Sequence, residues 1–442
     1  VPYGFANPHR RVFDYWGNDL ITDATGNANY FGPAFSGHLD VGAHPGMQQF
    51  WQRPSRPCPG TAILSSRHFP DDWQGLFLNT NVISIQGIFR AKLTEEGSGI
   101  KGETLEHLLT TDIENNPNFR PSGITVAPDG SLYFMDWSQM LIGHLQHHLR
   151  DPNRDHQHGR IYRITFPSRP LLEPKKIDGE PVANLVALLS EHEDNVRLRA
   201  KIELGGRDSK EVIAAVQKWE KALDKADAKY EHNRLEALWV HQWHDVVNLE
   251  LLGDVLKSPE PRARAQAVRV MGYWRDRVPN ALALLMKAAT DENMRVRLEA
   301  VRVASFFKGN DSKPALDAAY AVLKQPTDYY IDYCFKETLK QLQSLQKEFV
   351  LPSDPSVLAT LLEKLTDSEL NSAPNIEPVL IMRLSRKSTD AGRRENALKD
   401  LAKLHNSTRE LEMVRIFGLL DAKGGAAGGA ERVLRPRARL LC

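Results

Sequence analysis

The sequence predicts a multidomain β + α fold, about three blades of a β-propeller followed by a HEAT/ARM-type α-solenoid. Three observations carry that expectation. Composition shifts near residue 170, a turn-and-strand unit recurs before the shift, and an Arg-x-x-Ala unit recurs after it at helical-repeat spacing.

In the first part, Gly, Pro, Asn, Asp and aromatic residues alternate with short apolar runs. The repeated units are Trp16-Gly-Asn-Asp-Leu-Ile-Thr-Asp23, Trp73-Gln-Gly-Leu-Phe-Leu-Asn-Thr80 and Pro128-Asp-Gly-Ser-Leu-Tyr-Phe-Met-Asp136. Each is a turn containing Gly, a short apolar strand and a polar stop. The anchors Gly17, Gly75 and Gly130 lie 58 and 55 residues apart, a length that fits one propeller blade. Ser84–Lys92 and Arg160–Phe166 read as further strands of the second and third units. Three blades cannot close a ring. The expectation is therefore the C-terminal half of a propeller, residues 1–168, in a piece of a longer protein.

The run Phe166-Pro-Ser-Arg-Pro-Leu-Leu-Glu-Pro174 introduces a Pro-rich linker, 169–179. Beyond it, Arg197-Leu-Arg-Ala200, Arg234-Leu-Glu-Ala237, Arg264-Ala-Gln-Ala267 and Arg297-Leu-Glu-Ala300 are spaced by 37, 30 and 33 residues. Three of them follow the polar turns Glu193-Asp-Asn195, Ser258-Pro-Glu-Pro261 and Asp291-Glu-Asn293. Helix, turn and helix at this period predict stacked pairs, each burying its neighbour's apolar face, over 180–422. The repeated Arg is expected to bond to adjacent loops. Residues 423–442, rich in Gly and Ala and ending in four arginines, read as a disordered tail.

Composition excludes several classes. With 57 basic and 56 acidic residues, the chain has no field to hold nucleic acid. No run of 18 apolar residues supplies a transmembrane segment. Cys58, Cys334 and Cys442 are too few and too scattered for a disulfide framework, a Cys-based zinc site or a haem c motif. The G-x-G-x-x-G, Walker A, G-x-S-x-G and H-E-x-x-H motifs are missing, which disfavours nucleotide binding, serine hydrolysis and zincin proteolysis.

Chemistry concentrates in two places. Five histidines fall within 144–158, between two expected strands. His144 and His148 at i,i+4 share one helix face, and Asp151, Asp155, His156 and His158 follow. We expect His144, His148 and Asp155 as catalytic groups and His147, Asp151 and His156 as metal ligands, converging in a pocket near the propeller's open face. The same residues also read as an ion-pair network with Arg150 and Arg154 that locks the last blade. The second concentration holds Asn7, fixed in an extended or turn conformation by Pro8 and able to bond a planar ligand, with Asp23, Asn27 and Asn29 as oxygen donors for Ca²⁺. Asx turns between strands account for these as well.

Gly4-Phe-Ala-Asn-Pro8, Phe13-Asp-Tyr-Trp-Gly17 and Thr22-Asp23 resemble a strand motif of the glucose/sorbosone dehydrogenases. Arg56-Pro-Cys-Pro-Gly60, Ser66-Arg-His-Phe-Pro70, Phe119-Arg-Pro-Ser-Gly-Ile124, Pro128–Trp137 and the long run Ile142–Arg163 resemble the bacterial membrane-bound dehydrogenase family over almost the whole chain. The resemblance implies the C-terminal half of a six-bladed propeller, then HEAT repeats, in an oxidoreductase that uses pyrroloquinoline quinone (PQQ) and Ca²⁺. Asn7, Asp23 and Asn27 are the expected cofactor-binding residues. Ala6 stands at the position of the family's cofactor-contacting Arg, so Asn7 alone carries over from that motif. The implied function is oxidation of a sugar-like alcohol in the periplasm or cell envelope, with electrons passing to a c-type cytochrome domain outside this chain. The alternative is a scaffold without turnover, binding glycan on the propeller or a protein partner on the solenoid.

Overall fold

In a computed structural model of the chain, residues 3–5, 7–24, 28–37, 44–112, 114–142 and 150–424 are described. Three short antiparallel sheets follow one another. The first joins β1 (Pro8–Phe13), β2 (Asp19–Asp23) and β3 (Ala28–Phe31). The second joins β4 (Gly60–Leu64), β5 (Leu76–Asn81), β6 (Gly87–Glu96) and β7 (Gly99–Thr110). The third joins β8 (Pro121–Val126), β9 (Leu132–Asp136) and β10 (Arg160–Ile164). All three are simple meanders, and among the described residues they stay separate sheets with no closed ring.

The repeated glycines have a common structural job. Gly17, Gly75 and Gly130 take φ of +72°, +77° and +82°, a conformation that L side chains resist. Each turns the chain from the first strand of its sheet into the second: β1 to β2, β4 to β5, β8 to β9. The first strands β1, β4 and β8 lie side by side. Hydrogen bonds from Thr61 Oγ1 to Thr22 Oγ1 (3.1 Å) and from Thr80 Oγ1 to the Ser122 carbonyl (2.8 Å) tie neighbouring sheets together. A core of Leu64, Phe69, Leu78, Ile88, Phe119 and Phe134 fills the space between the second and third sheets.

Helices follow: α1 (Val182–Ala187), α2 (Asp194–Gly205), α3 (Ser209–Lys221), α4 (Tyr230–Trp243), α5 (Leu249–Val255), α6 (Pro261–Trp274), α7 (Ala281–Ala289), α8 (Met294–Ala304), α9 (Ser312–Ala321) and α10 (Tyr329–Ser344). The predicted polar turns start α2, α6 and α8. Glu260 accepts the Arg262 N–H with Pro261 at the first helical position, and Asn293 accepts the Arg295 N–H. The alanines of the Arg-x-x-Ala units, Ala200, Ala237, Ala267 and Ala300, are all buried, because larger side chains would hold the stacked helices apart. Two of the repeated arginines reach forward to the next turn. Arg264 pairs with Asp291 at 2.8 and 3.0 Å, and Arg297 donates to the Pro326 carbonyl at 2.8 Å.

Two compact units divide the chain, Val1–Leu342 and Gln343–Cys442. The first unit therefore holds all the described strands together with the helix pairs up to α10, and the Pro-rich 169–179 segment runs inside it. Strands and helices are joined there by long-range bonds. Ser305 Oγ accepts the Gly37 N–H (2.6 Å), Arg302 Nε donates to the Phe35 carbonyl (3.0 Å) and the Tyr333 hydroxyl donates to the Pro45 carbonyl (2.7 Å). Arg67, in the β4–β5 connection, grips Glu193 just before α2 at 2.6 Å. The second unit contains α11 (Pro355–Lys364), α12 (Asp367–Ser372), α13 (Glu377–Ser385), α14 (Ala391–Leu404) and α15 (Arg409–Gly424), packed around Leu380, Ala397, Leu401 and Ile416. Of the expected disordered tail, 425–442 lie outside the described residues.

Candidate functional site

The expected His/Asp cluster is reached only in part. His144, His147 and His148 lie outside the described residues. Asp151 is engaged locally, accepting the Asn153 N–H at 2.9 Å and its Nδ2 at 3.0 Å. Asp155 is exposed and caps its own turn. It accepts the backbone N–H groups of Gln157 (2.9 Å) and His158 (3.0 Å), and His158 Nδ1 lies 3.0 Å from its carboxylate. Those backbone donors, ahead of His158, hold the Asp155 carboxyl below its ordinary range. Asp155, His156 and His158 line a shallow, open depression of about 410 Å³ with Trp137 and Gln139. The Gln139 amide donates to the Asp155 carbonyl.

The second expected set sits elsewhere, at the β1–β2 edge. Asn7 donates its backbone N–H to Asp23 Oδ2 at 2.9 Å, and the Asn7 carbonyl accepts the Ala24 N–H at 2.9 Å. Asp23 is buried, and Arg53 donates to its carbonyl at 2.6 Å. Asn27 lies outside the described residues. Among the described residues no three His, Cys, Asp or Glu side chains converge as metal ligands would. The two sets belong to different sheets, the first to the β9–β10 connection and the second to β1 and β2.

A larger feature went unread in the sequence. A groove of about 750 Å³ runs between the first strands of all three sheets and the helices α2, α4 and α6. One wall carries Arg10 and Phe13 of β1, Ile63 of β4 and Thr125 of β8; the other carries Leu198, Trp243 and Tyr273. Phe13, Trp243 and Tyr273 leave roughly half of their surface open, at 48, 51 and 62%. Beneath them the charges are tightly paired. Glu236 receives Arg197 Nε at 3.0 Å and Lys201 Nζ at 2.6 Å, and Arg11 forks onto Asp19 at 2.6 Å. Lys201 Nζ lies 4.8 Å over the Trp239 ring, and the Arg197 guanidinium 4.8 Å over Tyr15. Burial raises the Glu236 carboxyl, but Lys201, His232 and Arg197 outweigh it and hold the group ionised. The one sequence hint was Trp239 and Trp243 at i,i+4, which puts both indoles on one face of α4.

Residues 249–329, from α5 to the start of α10, match a family model for HEAT repeats. The chain carries HEAT repeats. Residues 46–167, which contain the second and third sheets, match a domain of unknown function (DUF7133). No curated protein matches the chain. Over 249–329 the helices form a HEAT-like solenoid region, built by the helix-stacking logic that often presents extended surfaces to partners.

Proposed function

We propose that the chain is a propeller–HEAT binding scaffold and that its groove takes a sugar-like ligand. The observation that carries this is the groove itself. It draws one wall from the first strand of every sheet and the other from three solenoid helices, and it presents three half-open aromatic rings over a floor of fixed charges. Its size falls in the range of ligand sites, and half-exposed rings beside hydrogen-bonding side chains suit the apolar face and hydroxyl edge of a pyranose. Three consecutive meanders, each turning from its first to its second strand at a positive-φ glycine, with their first strands adjacent, support reading the sheets as propeller blades. Trp243 fluorescence and calorimetric titration with cellotetraose and tetragalacturonate test the proposal. Saturable binding of one of them is expected, weakened about tenfold by Trp243→Ala. Failure of both sugars to bind would remove the reading.

A second reading is a cell-envelope sugar or alcohol dehydrogenase using PQQ and Ca²⁺ and passing electrons to a c-type haem domain. The feature that favours it is the Asp155–His158 pair beside exposed Trp137, a carboxylate placed to orient an imidazole base. Among the described residues no His, Cys, Asp or Glu cluster forms a calcium site. Incubation with PQQ and Ca²⁺, followed by dye-linked oxidation of glucose, tests it; no dye reduction counts against it.

A further inference from the structure

We propose that the seam between the strands and α8 holds a small monovalent anion, chloride in ordinary buffers. The seam contains a narrow cavity of about 20 Å³, open at a rim formed by Glu95 and Arg262, with room for one water-sized or halide-sized guest. Its lining comes from both halves: Asn18 and Phe31 of the first sheet, Gly97 and Gly99 at the β6–β7 turn, Arg262 of α6 and Arg295 in the first turn of α8.

Arg295 points to the guest. Its side chain is 9% exposed. Nη2 is used, donating to Asn18 Oδ1 at 2.8 Å and to Glu299 Oε1 at 2.9 Å. Nε and Nη1 are buried and have no partner among the described residues. Guanidinium N–H groups are strong donors, and leaving two of them unpaired in a dry site is costly.

The sharing of one carboxylate points the same way. Three guanidiniums share one carboxylate, since Glu299 lies 2.6 Å from Arg269, 2.9 Å from Arg295 and 3.5 Å from Arg302, and none of the three is more than 13% exposed. Asp14, half-buried nearby, accepts N–H groups from Trp16 and Asn18 rather than a guanidinium. Asp19 is taken by Arg11, and Arg262 is forked by Glu260. Glu95, on the rim, is 62% exposed and 3.6 Å from Arg262. The N-terminus of α8, an 11-residue helix capped by Asn293, adds its own partial positive charge. The cavity is too small for sulfate or phosphate, so the guest is monatomic. Bridging strands and solenoid, it stabilises their docking.

The full chain is exchanged into sodium methanesulfonate, then titrated with sodium chloride or bromide at constant ionic strength. A saturable rise in melting temperature of about 2–4 °C is expected. Crystals soaked in bromide are expected to show an anomalous peak beside Arg295. Arg262→Gln, at a side chain 37% exposed, is expected to keep the fold and lose the saturable rise. A melting temperature indifferent to the anion, or no bromide beside Arg295, overturns the proposal and assigns the cavity to water.

Discussion

His232 joins the two halves through a single ring. Its imidazole stacks on Tyr15 at 3.6 Å, and its Nε2 donates to the Tyr15 carbonyl at 2.8 Å. Burial, only partly opposed by Glu236 at 3.8 Å, pushes its pKa down to about 4. The unfolded chain protonates this group near 6.5, so between pH 6.5 and 4 it binds more protons than the folded one, and stability falls as pH falls through that window. The loss reaches about 3 kcal/mol by pH 4. Glu299 behaves as a second acid-sensitive group. Burial raises its carboxyl, yet Arg269, Arg295 and Arg302 outweigh burial and bring it to about 2. Its contribution is present above the ordinary carboxylate value of 4.5 and fades as pH drops from there toward 2. Melting temperatures from pH 7 to 3 are expected to show both losses. His232→Gln should flatten the upper one and leave the lower; an unchanged slope between pH 6.5 and 4.5 would refute the assignment. At this scale the sequence was least readable. It singled out Asp155 and His156 by density along the chain, and both proved to be exposed turn residues. It passed over His232, whose surroundings arrive from residue 15.

The turns carry the next prediction. Gly75 and Gly130 have nearly the same positive φ but different surroundings. A Cβ on Gly75 would meet nothing within 4 Å, whereas one on Gly130 would press against Ser66 Oγ at 2.7 Å and Leu172 at 2.8 Å. Gly75→Ala should cost only the left-handed backbone, about 1–2 kcal/mol. Gly130→Ala should add the crowding, about 1–3 kcal/mol more. Urea unfolding of both variants checks this, and equal losses would contradict it. These glycines were legible because the backbone demands them at a fixed place in each unit. The same holds for the Arg-x-x-Ala helices, where a small residue must meet the next helix and the Arg bonds to adjacent turns and acids. Strand β1 was less legible. Pro8, His9, Arg10 and Arg11 are exposed, so it shows no apolar alternation.

For the molecule as a whole, the composition shift at residue 170 marked where strands give way to helices, and the compact unit continues across it to Leu342. Local composition records the kind of element, not which surfaces meet. Severing the chain within 169–179 should therefore harm both pieces. The helical piece would be left with Arg295 and Glu299 uncovered, and the strand piece would lose the cover over Phe31 and Phe35. Circular dichroism melts check this; a helical piece melting at the temperature of the intact chain would show the seam to be energetically idle. The seam also sets a schedule. Gly37 waits for Ser305 and Pro45 for Tyr333, partners 268 and 288 residues later. At roughly 5–20 residues per second, a ribosome delivers those partners some tens of seconds after the strands have emerged. Through that interval the first sheet stands with its aromatic face bare, a natural client for chaperones. Slowing synthesis downstream of residue 170 should raise the aggregated fraction while leaving the finished protein's stability unchanged.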